Sequence, residues 1–409
     1  MTGPPIPGSS SIPEDLESEG AALRDALLLL MGREEAEGGE AEVEALALRV
    51  LRYQARANPV YGTLLRNRGL DAGSLEHWTR FPPVPARAFR DASPYIGGEG
   101  GKGGDREGGT PPEAVFHTSG TTGTPGVHRV RDLSLYHASL LPPARRHLGL
   151  REREPGTAMG SGATRVLALL PPPDTRPTSS LAHMAGVLVH RFDDGGGGFL
   201  LSADWDLEVV RVAEALERAR ADGVPVLLLA TAFALVHWLE RSQAQGASAI
   251  RLPPGSRIME TGGYKGRSRE VERPVLYHAL SEALGVPPER IVNEYGMTEM
   301  LSQFYEPVLE EGGPADPSLR RHVGPSWVRT RVLDPVTLAP VPPGEPGLLC
   351  HLDLANLYSA ALLLTEDRGV AISGPATAPT PGFRVLGRGS GAFPRGCSLS
   401  LEAWMRASP

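Results

Sequence analysis

A run of hydroxyl residues and glycines separates two short apolar segments in the second quarter of the chain. Residues 117–126 read His-Thr-Ser-Gly-Thr-Thr-Gly-Thr-Pro-Gly, after Ala114-Val115-Phe116 and before Val127-His128-Arg129-Val130. The pattern predicts a strand, a tight polar loop and a second strand. Glycines let the backbone approach a ligand closely, and hydroxyls and backbone N–H groups then converge on an anion. We therefore interpret the loop as a polyphosphate site.

That loop differs from the Walker type, because no Gly-Lys-Ser/Thr sequence follows it. The simpler interpretation is a surface turn rich in Ser, Thr and Gly. The particular order of the residues favours phosphate binding over that alternative. The candidate contacts are Thr118, Ser119, Gly120, Thr121, Thr122 and Gly123.

A regular alternation of apolar segments and helical patterns follows. Strands are predicted at 166–170, 224–230, 257–260 and 290–294, with helices at 179–190, 206–221, 232–242 and 269–284. This order predicts a parallel sheet with right-handed crossovers. Ligands of such sheets bind beyond the carboxyl ends of the strands. Polar residues follow three of these ends, at Thr231, at Gly262-Gly263 and at Tyr295-Gly296-Met297-Thr298-Glu299, so we expect them along one edge.

Two of these motifs carry a family resemblance. The loop at 117–125 resembles the phosphate loop of the adenylate-forming superfamily, which includes acyl-CoA synthetases, adenylation domains and firefly luciferase. Residues 293–299 resemble its Tyr-Gly-x-Thr-Glu motif. Further segments resemble the acyl-protein synthetase (LuxE) family: Ser302-Gln303-Phe304-Tyr305, Asp353-Leu354-Ala355-Asn356, Thr365-Glu366-Asp367, Leu386-Gly387-Arg388 and Arg395-Gly396-Cys397-Ser398-Leu399. The resemblance extends over residues 40 to 405.

The resemblance implies ATP and Mg²⁺ as cofactors and a role for each matching residue. The β- and γ-phosphates would be held by Thr118, Ser119, Thr121 and Thr122, and Gly120 and Gly123 would permit their approach. Thr298 would contact the α-phosphate, and Glu299 would bind Mg²⁺. Tyr295 would stack on adenine, with Gly262, Gly263 and Gly296 along it, Asp367 would accept hydrogen bonds from the ribose hydroxyls, and Arg388 would lie near the ribose. A carboxylate is the acceptor-only group that a diol requires, and a hard oxygen ligand suits Mg²⁺. Outside such motifs, a tyrosine more often belongs to the hydrophobic core, and a pair of glycines more often forms a plain turn.

The sequence departs from the superfamily pattern just after the loop. The superfamily carries a lysine there, whereas this chain has Gly126 and His128, so Arg129 or Arg131 is the candidate for a basic contact. Lys265 is a further candidate to contact a phosphate or the substrate carboxylate. The alternative is a solvated surface lysine. His117 either lines the acyl site or makes a structural hydrogen bond.

A second departure lies near the C-terminus. Full acyl-CoA synthetases continue from the Gly-Arg pair into a mobile cap domain with a catalytic lysine, but this sequence ends soon after Arg388. We expect the cap domain to be essentially absent. Cys397 matches the acyl-acceptor cysteine of the acyl-protein synthetases, and Arg388 and Arg395 would favour its nucleophilic thiolate. The alternative for Cys397 is an ordinary free thiol, which we expect for Cys350 within an apolar run.

These features predict an AMP-forming acid:protein ligase. The enzyme would convert a carboxylic acid, for which the family implies a fatty acid, to acyl-AMP, transfer the acyl group to Cys397, and pass it to a reductase or carrier protein. One alternative is a stand-alone adenylating enzyme that loads a carrier-protein phosphopantetheine thiol, with Cys397 incidental. Another is a non-catalytic homologue that binds nucleotide.

The bulk properties limit the class of protein. A net charge of −7 in 409 residues argues against nucleic-acid binding. No apolar run approaches the roughly 18 residues that span a bilayer. Two cysteines cannot build a disulfide framework, and the N-terminus lacks the features of a signal peptide, so a cytoplasmic protein is predicted.

The predicted fold class is α/β: an adenylate-forming large N-terminal domain, with parallel sheets flanked by helices, plus a small β-rich subdomain. The predicted divisions are a disordered tail at 1–12, an N-terminal helical subdomain at 13–95, an α/β nucleotide-binding core at 110–325, and a β-rich subdomain with a short C-terminal tail at 326–409. The glycine-rich segment at 97–109 is predicted to be a loop.

Overall fold

The structure is a computed structural model, and it describes residues 12–33, 39–97, 109–118, 125–152, 163–262, 271–373 and 381–388. Its helices are α1 (Glu14–Met31), α2 (Glu40–Ala57), α3 (Pro59–Asn67), α4 (Ala88–Asp91), α5 (Leu133–His147), α6 (Ser180–Phe192), α7 (Val209–Asp222), α8 (Ala232–Ala244), α9 (Arg273–Leu284) and α10 (Val308–Glu311). Its strands are β1 (Val84–Pro85), β2 (Ala114–His117), β3 (Val127–Val130), β4 (Arg165–Leu169), β5 (Gly198–Phe199), β6 (Val226–Thr231), β7 (Arg257–Thr261), β8 (Ile291–Tyr295), β9 (Phe304–Tyr305), β10 (Val328–Leu333), β11 (Pro346–Asp353), β12 (Leu362–Ile372) and β13 (Gly382–Arg388).

The first helices form because apolar residues recur at helical spacing. In α2 these residues form an apolar stripe, which includes Val43, Leu46 and Val50 and is buried. Helix α1 begins at Glu14, directly after Pro13. On the buried side of α2, the Gln54 amide donates hydrogen bonds of 2.8 and 2.9 Å to the carbonyls of residues 356 and 357. This contact docks the N-terminal helices onto the C-terminal part of the chain.

The predicted parallel sheet is confirmed. Six strands lie in the order β5-β4-β6-β7-β8-β9, and β9 alone runs antiparallel to its neighbour. Both faces are buried: Leu227 and Leu229 of β6 belong to one apolar cluster, and Leu228 between them belongs to the other. This burial explains why the central strands read as continuous apolar runs.

Several predicted boundaries shift by a few residues. The helix predicted from 206 begins at Val209, and the helix predicted from 269 begins at Arg273, just ahead of a proline that suits the first helical turn. The last core strand begins at Ile291 because residues 288–290 form a 3₁₀ turn. The polar strand ends are brought together as predicted, with Thr231 beside Thr261 and Thr261 beside Glu294 in the register of the sheet.

The C-terminal residues form a second sheet in the order β1-β12-β11-β10, and β13 pairs with residues 367–372 of β12, beyond the part that pairs with β1. Strand β12 begins at Leu362 and continues to Ile372, which places Asp367 within it. The short strand β1 pairs in parallel with β12, with Val84 opposite Leu363. Residues from the N-terminal part of the chain therefore complete this sheet.

The hairpin predicted around the polar loop is also confirmed. Strands β2 and β3 pair antiparallel from Ala114 opposite Val130 to His117 opposite Val127. Among the residues that the structure describes, no helix is both long and apolar enough to cross a membrane.

Candidate active site

The base of the polar loop is closed by Thr118 and Gly126. The Thr118 backbone N–H donates to the Gly126 carbonyl at 2.9 Å, and the Gly126 N–H donates to Thr118 Oγ1 at 2.8 Å. A Cβ at position 126 would lie 3.0 Å from the Thr118 methyl group, so the close approach favours glycine. The predicted phosphate contacts Ser119, Gly120, Thr121, Thr122 and Gly123 lie outside the described residues.

Thr298 lies where three elements meet. Its hydroxyl oxygen is 3.4 Å from Ser180 Oγ at the start of α6. Its carbonyl oxygen is 2.7 Å from Nδ1 of His128, a residue of β3. Since a carbonyl only accepts, this contact requires the Nδ1–H tautomer. The Thr298 hydroxyl is therefore held close to the loop hairpin and to α6.

His128 does not replace the superfamily lysine. The imidazole is fully buried and packs edge-on against Phe89 at 5.2 Å. Burial lowers its pKa to about 4, so the ring is neutral near pH 7. Arg129 contacts Ser93, and Arg131 pairs with Glu17 at 2.6 Å. Each of these basic residues is therefore engaged in a structural contact in this structure.

Glu299 is a buried carboxylic acid with 9% of its surface exposed. Burial raises its pKa to about 7; the charge of Arg388 opposes this shift, and the charges of Glu366 and Asp367 add to it. No Lys, Arg or His among the described residues forms an ion pair with its carboxylate. A carboxylate without a close cation suits a bound Mg²⁺, for which it would supply a hard oxygen ligand.

Tyr295, Asp367 and Arg388 meet although they come from distant parts of the chain. The Tyr295 hydroxyl donates to Asp367 Oδ2 at 2.8 Å, and Arg388 Nε lies 3.7 Å from Asp367 Oδ1. Asp367 and Arg388 are direct partners in the β12–β13 register. The Arg388 side chain is 78% exposed and open to a ligand. The structure thus joins three of the predicted nucleotide contacts.

The Tyr295 ring lies on a cluster of buried rings that the sequence did not reveal. Its centroid is 5.5 to 6.0 Å from those of Phe304, His322, His351 and Phe383. Burial lowers the pKa of both histidines to about 3, so they act as neutral aromatic rings. Contacts with this cluster restrict the orientation of the Tyr295 ring.

Glu294 is a further residue that sequence reasoning missed. It is buried between strand ends, its carboxylate accepts a short hydrogen bond from Thr261, and burial raises its pKa to about 7. A Cβ at position 296 would lie 2.5 Å from Glu294 Oε1, so any residue other than glycine there would displace the Glu294 carboxylate. Gly262 follows Thr261, is exposed and has φ +71°, which favours glycine. Gly263 and Lys265 lie outside the described residues.

The segment after Glu299 is anchored by Asp353. This buried carboxylate accepts hydrogen bonds of 2.9 Å from the Leu301 and Ser302 N–H groups and one of 2.7 Å from the Ser302 hydroxyl. Asn356, three residues later, donates to the Glu299 carbonyl at 2.7 Å. The Asp-Leu-Ala-Asn segment therefore binds the backbone of the Thr-Glu motif and of the two residues that follow Met300. Sequence reasoning that looks for residues in contact with a ligand overlooks this supporting role.

The structure describes one of the two cysteines, Cys350. Cys350 is buried in β11, and burial raises the pKa of its thiol to about 12, so it is a poor nucleophile. Cys397 lies outside the described residues. Within the described ranges, no group of three or more His, Cys, Asp or Glu side chains is arranged to hold a metal ion.

Solved structures share this fold. An open conformation of 2-hydroxyisobutyryl-CoA ligase in complex with 2-HIB-AMP and CoA superposes with a TM-score of 0.58 at 17% identity, covering 87% of this chain and 77% of that chain. The same ligase in the thioesterification state gives a TM-score of 0.58 at 16% identity, over 86% and 69% of the two chains. This likeness shows that the chain shares the fold of that ligase.

Curated relatives match a shorter stretch. The long-chain-fatty-acid–luciferin-component ligase of Vibrio harveyi is 27% identical over 147 residues, which is 36% of each chain. The ligase of the same name from Aliivibrio fischeri is 30% identical over 148 residues, covering 35% of this chain and 36% of the relative. The matched stretch thus spans about a third of each relative. The sequence model described as acyl-protein synthetase, LuxE, matches residues 189–405, more than half of the chain. This chain therefore belongs to the acyl-protein synthetase LuxE family.

Proposed function

We propose that this protein is an AMP-forming acid:protein ligase. The observation that supports it best is the convergence of Tyr295, Asp367 and Arg388, which contacts of 2.8 and 3.7 Å join. An aromatic ring, a diol acceptor and an exposed cation suit a nucleoside monophosphate. Thr118 and Gly126 flank the loop that we propose binds the remaining phosphates.

In the first step, a carboxylate oxygen of the acid attacks the α-phosphorus of ATP. A C(O)–O–P bond forms, the bond to the β-phosphate oxygen breaks, and pyrophosphate leaves. Thr298 donates a hydrogen bond to an α-phosphate oxygen, and Asp367 accepts from the ribose. Bound Mg²⁺, held by Glu299, would neutralise phosphate charge. Catalysis then consists mainly of positioning and electrostatic stabilisation.

In the second step, the Cys397 thiolate attacks the acyl carbon of acyl-AMP. A C–S bond forms, the C–O bond to AMP breaks, and the thioester can pass to an acceptor protein. Cys350 is a poor candidate for this role, because it is buried and its thiol holds its proton to about pH 12. A free thiol acceptor favours a reducing compartment, so we propose the cytoplasm.

The names of the two curated relatives suggest the first substrates to test. Both are named for long-chain fatty acids and for a luciferin component as acceptor. By analogy, we propose a fatty acid as substrate and a partner protein, such as a reductase, as acceptor.

Acid-dependent exchange of labelled pyrophosphate into ATP tests the first step directly. A panel of fatty, aryl and amino acids should reveal at least one acid that supports exchange with the wild-type protein. Exchange without a cysteine adduct would favour the carrier-loading alternative. Tight nucleotide binding without exchange for any acid would overturn the ligase proposal in favour of a non-catalytic homologue.

A further inference from the structure

Two consecutive backbone carbonyls at the centre of the candidate site are each held by a buried side chain. Nδ1 of His128 lies 2.7 Å from the Thr298 oxygen, and Nδ2 of Asn356 lies 2.7 Å from the Glu299 oxygen. His128 and Asn356 are each only 1% exposed, and their side chains also lie beside one another. We refer to these two side chains as the carbonyl brace.

The two members of the carbonyl brace come from different elements. His128 lies in β3, two residues beyond the Gly126 that closes the base of the polar loop. Asn356 ends the 3₁₀ turn between β11 and β12, the strand that carries Asp367. The brace therefore ties the Thr-Glu backbone both to the loop hairpin and to the sheet that carries the proposed ribose contact.

The Thr-Glu backbone needs such support. Between β8 and β9 it forms neither helix nor strand, so its carbonyls receive no ladder hydrogen bonds. Buried carbonyl groups require partners, and catalysis by positioning is sensitive to displacements of about 1 Å. Side chains on an irregular segment are placed only as accurately as the backbone beneath them.

We propose that His128 and Asn356 are positioning residues, which fix the Thr298-Glu299 backbone so that the threonine hydroxyl and the glutamate carboxylate face the reacting phosphates. This inference rests on the proposed ligase function. It gives His128 a different role from the missing loop lysine: the imidazole acts as a neutral donor to backbone and does not touch phosphate.

Two variants of His128 separate the loss of the hydrogen-bond donor from the loss of the imidazole ring. In His128→Asn, the amide nitrogen lies near the position of Nδ1 and can still donate to the Thr298 carbonyl. In His128→Gln, the longer side chain places its amide near Nε2 and leaves that carbonyl without its donor. We expect His128→Asn to retain most of the wild-type kcat in pyrophosphate exchange, and His128→Gln to lose about 10- to 100-fold.

Asn356→Asp provides an independent test at the second carbonyl. The substitution keeps the shape but replaces the donor by an acceptor that repels the Glu299 oxygen. We expect kcat to fall by a similar factor and the Mg²⁺ concentration for half-maximal exchange to rise. Asn67→Asp, at an exposed position at the end of α3, is the matched control and should behave as wild type.

Thermal melting of each variant shows whether it is folded, and Asn356→Asp carries the test if His128→Gln does not fold. Equal kcat values for folded His128→Asn and His128→Gln, whether both high or both low, would overturn the proposal. So would a wild-type kcat for Asn356→Asp. Absence of exchange in the wild-type protein is a different result, because it removes the ligase function and the inference falls with it.

Discussion

The Tyr295 hydroxyl donates a hydrogen bond of 2.8 Å to Asp367, and the two residues belong to different sheets. Tyr295 ends β8 of the parallel sheet, whereas Asp367 lies within β12 of the antiparallel one. The bond fixes the distance between the ring proposed to stack on adenine and the carboxylate proposed to hold the ribose. One nucleoside can therefore contact both sheets at once.

Replacement of Asp367 should weaken ATP binding. Asp367→Asn removes a charged acceptor for the ribose hydroxyls, and hydrogen bonds to charged groups contribute about 1.5–3 kcal/mol. We expect the KM for ATP in pyrophosphate exchange to rise about tenfold or more. Glu366→Gln, at the exposed neighbouring position, is the control and should leave KM near wild type. An unchanged KM in Asp367→Asn would contradict the proposed ribose contact.

Replacement of Glu299 should remove activity but leave the fold intact. Burial raises its pKa to about 7, so the folded protein already accommodates a neutral side chain near neutral pH. We expect Glu299→Gln to melt near the wild-type temperature and to lose about 100-fold or more of the exchange rate. The exposed Glu345→Gln is the matched control. Full exchange activity in Glu299→Gln at limiting Mg²⁺ would exclude the glutamate as the metal ligand.

A methyl group at Gly296 should disturb the strand ends. The Cβ would lie 2.5 Å from the Glu294 carboxylate, which is held by Thr261. Such overpacking costs about 1–3 kcal/mol, so Gly296→Ala should lower the melting temperature and raise the KM for ATP. Gly39→Ala, where a Cβ meets nothing within 4 Å, is the control. A Gly296→Ala protein with wild-type stability and KM would show that the glycine is not required.

Buried histidines should make the protein sensitive to mild acid. Burial lowers the pKa values of His147, His322 and His351 from 6.5 to about 3. Below pH 6.5 the unfolded chain binds more protons than the folded one, so the free energy of unfolding falls as the pH is lowered, until the pH reaches about 3. Each of the three should cost roughly 1 kcal/mol between pH 6.5 and 5.5.

Urea denaturation at pH 7.5 and 5.5 measures this effect. The loss of unfolding free energy between the two pH values should be smaller in His322→Phe than in wild type by about 1 kcal/mol. His278→Gln changes a histidine whose side chain is 76% exposed and should lose as much as wild type. An equal loss in wild type and His322→Phe would show that His322 is not held neutral.

The regular elements could be predicted where the local pattern decides the structure. Continuous apolar runs identified the core strands, and helical patterns identified the helices between them. The short strand β1 was not predicted, because a pair of residues becomes a strand only by pairing with β12, far along the chain. Helix α5 was not predicted either; it contains Pro142 and Pro143, which disfavour a helix locally.

Some residues of the candidate site could likewise be predicted from the local sequence, and others could not. Its motif residues were predicted because their order resembles a known family. His128 and Asn356 were not predicted as supports, since their contacts join residues 170 and 57 positions apart. Glu294 was not predicted because its importance follows from burial beside Thr261, which depends on the register of the two strands.

We propose that ATP activates the acid and that the acyl group then passes to Cys397. Intact-mass measurement after incubation with Mg-ATP and an acid that supports exchange tests it most directly. Cys350→Ala is the matched control, because that buried thiol should not react. We expect a hydroxylamine-labile mass increase equal to the acyl group in wild type and in Cys350→Ala, and none in Cys397→Ala. An adduct that persists in Cys397→Ala, or one that is lost in folded Cys350→Ala, would contradict it.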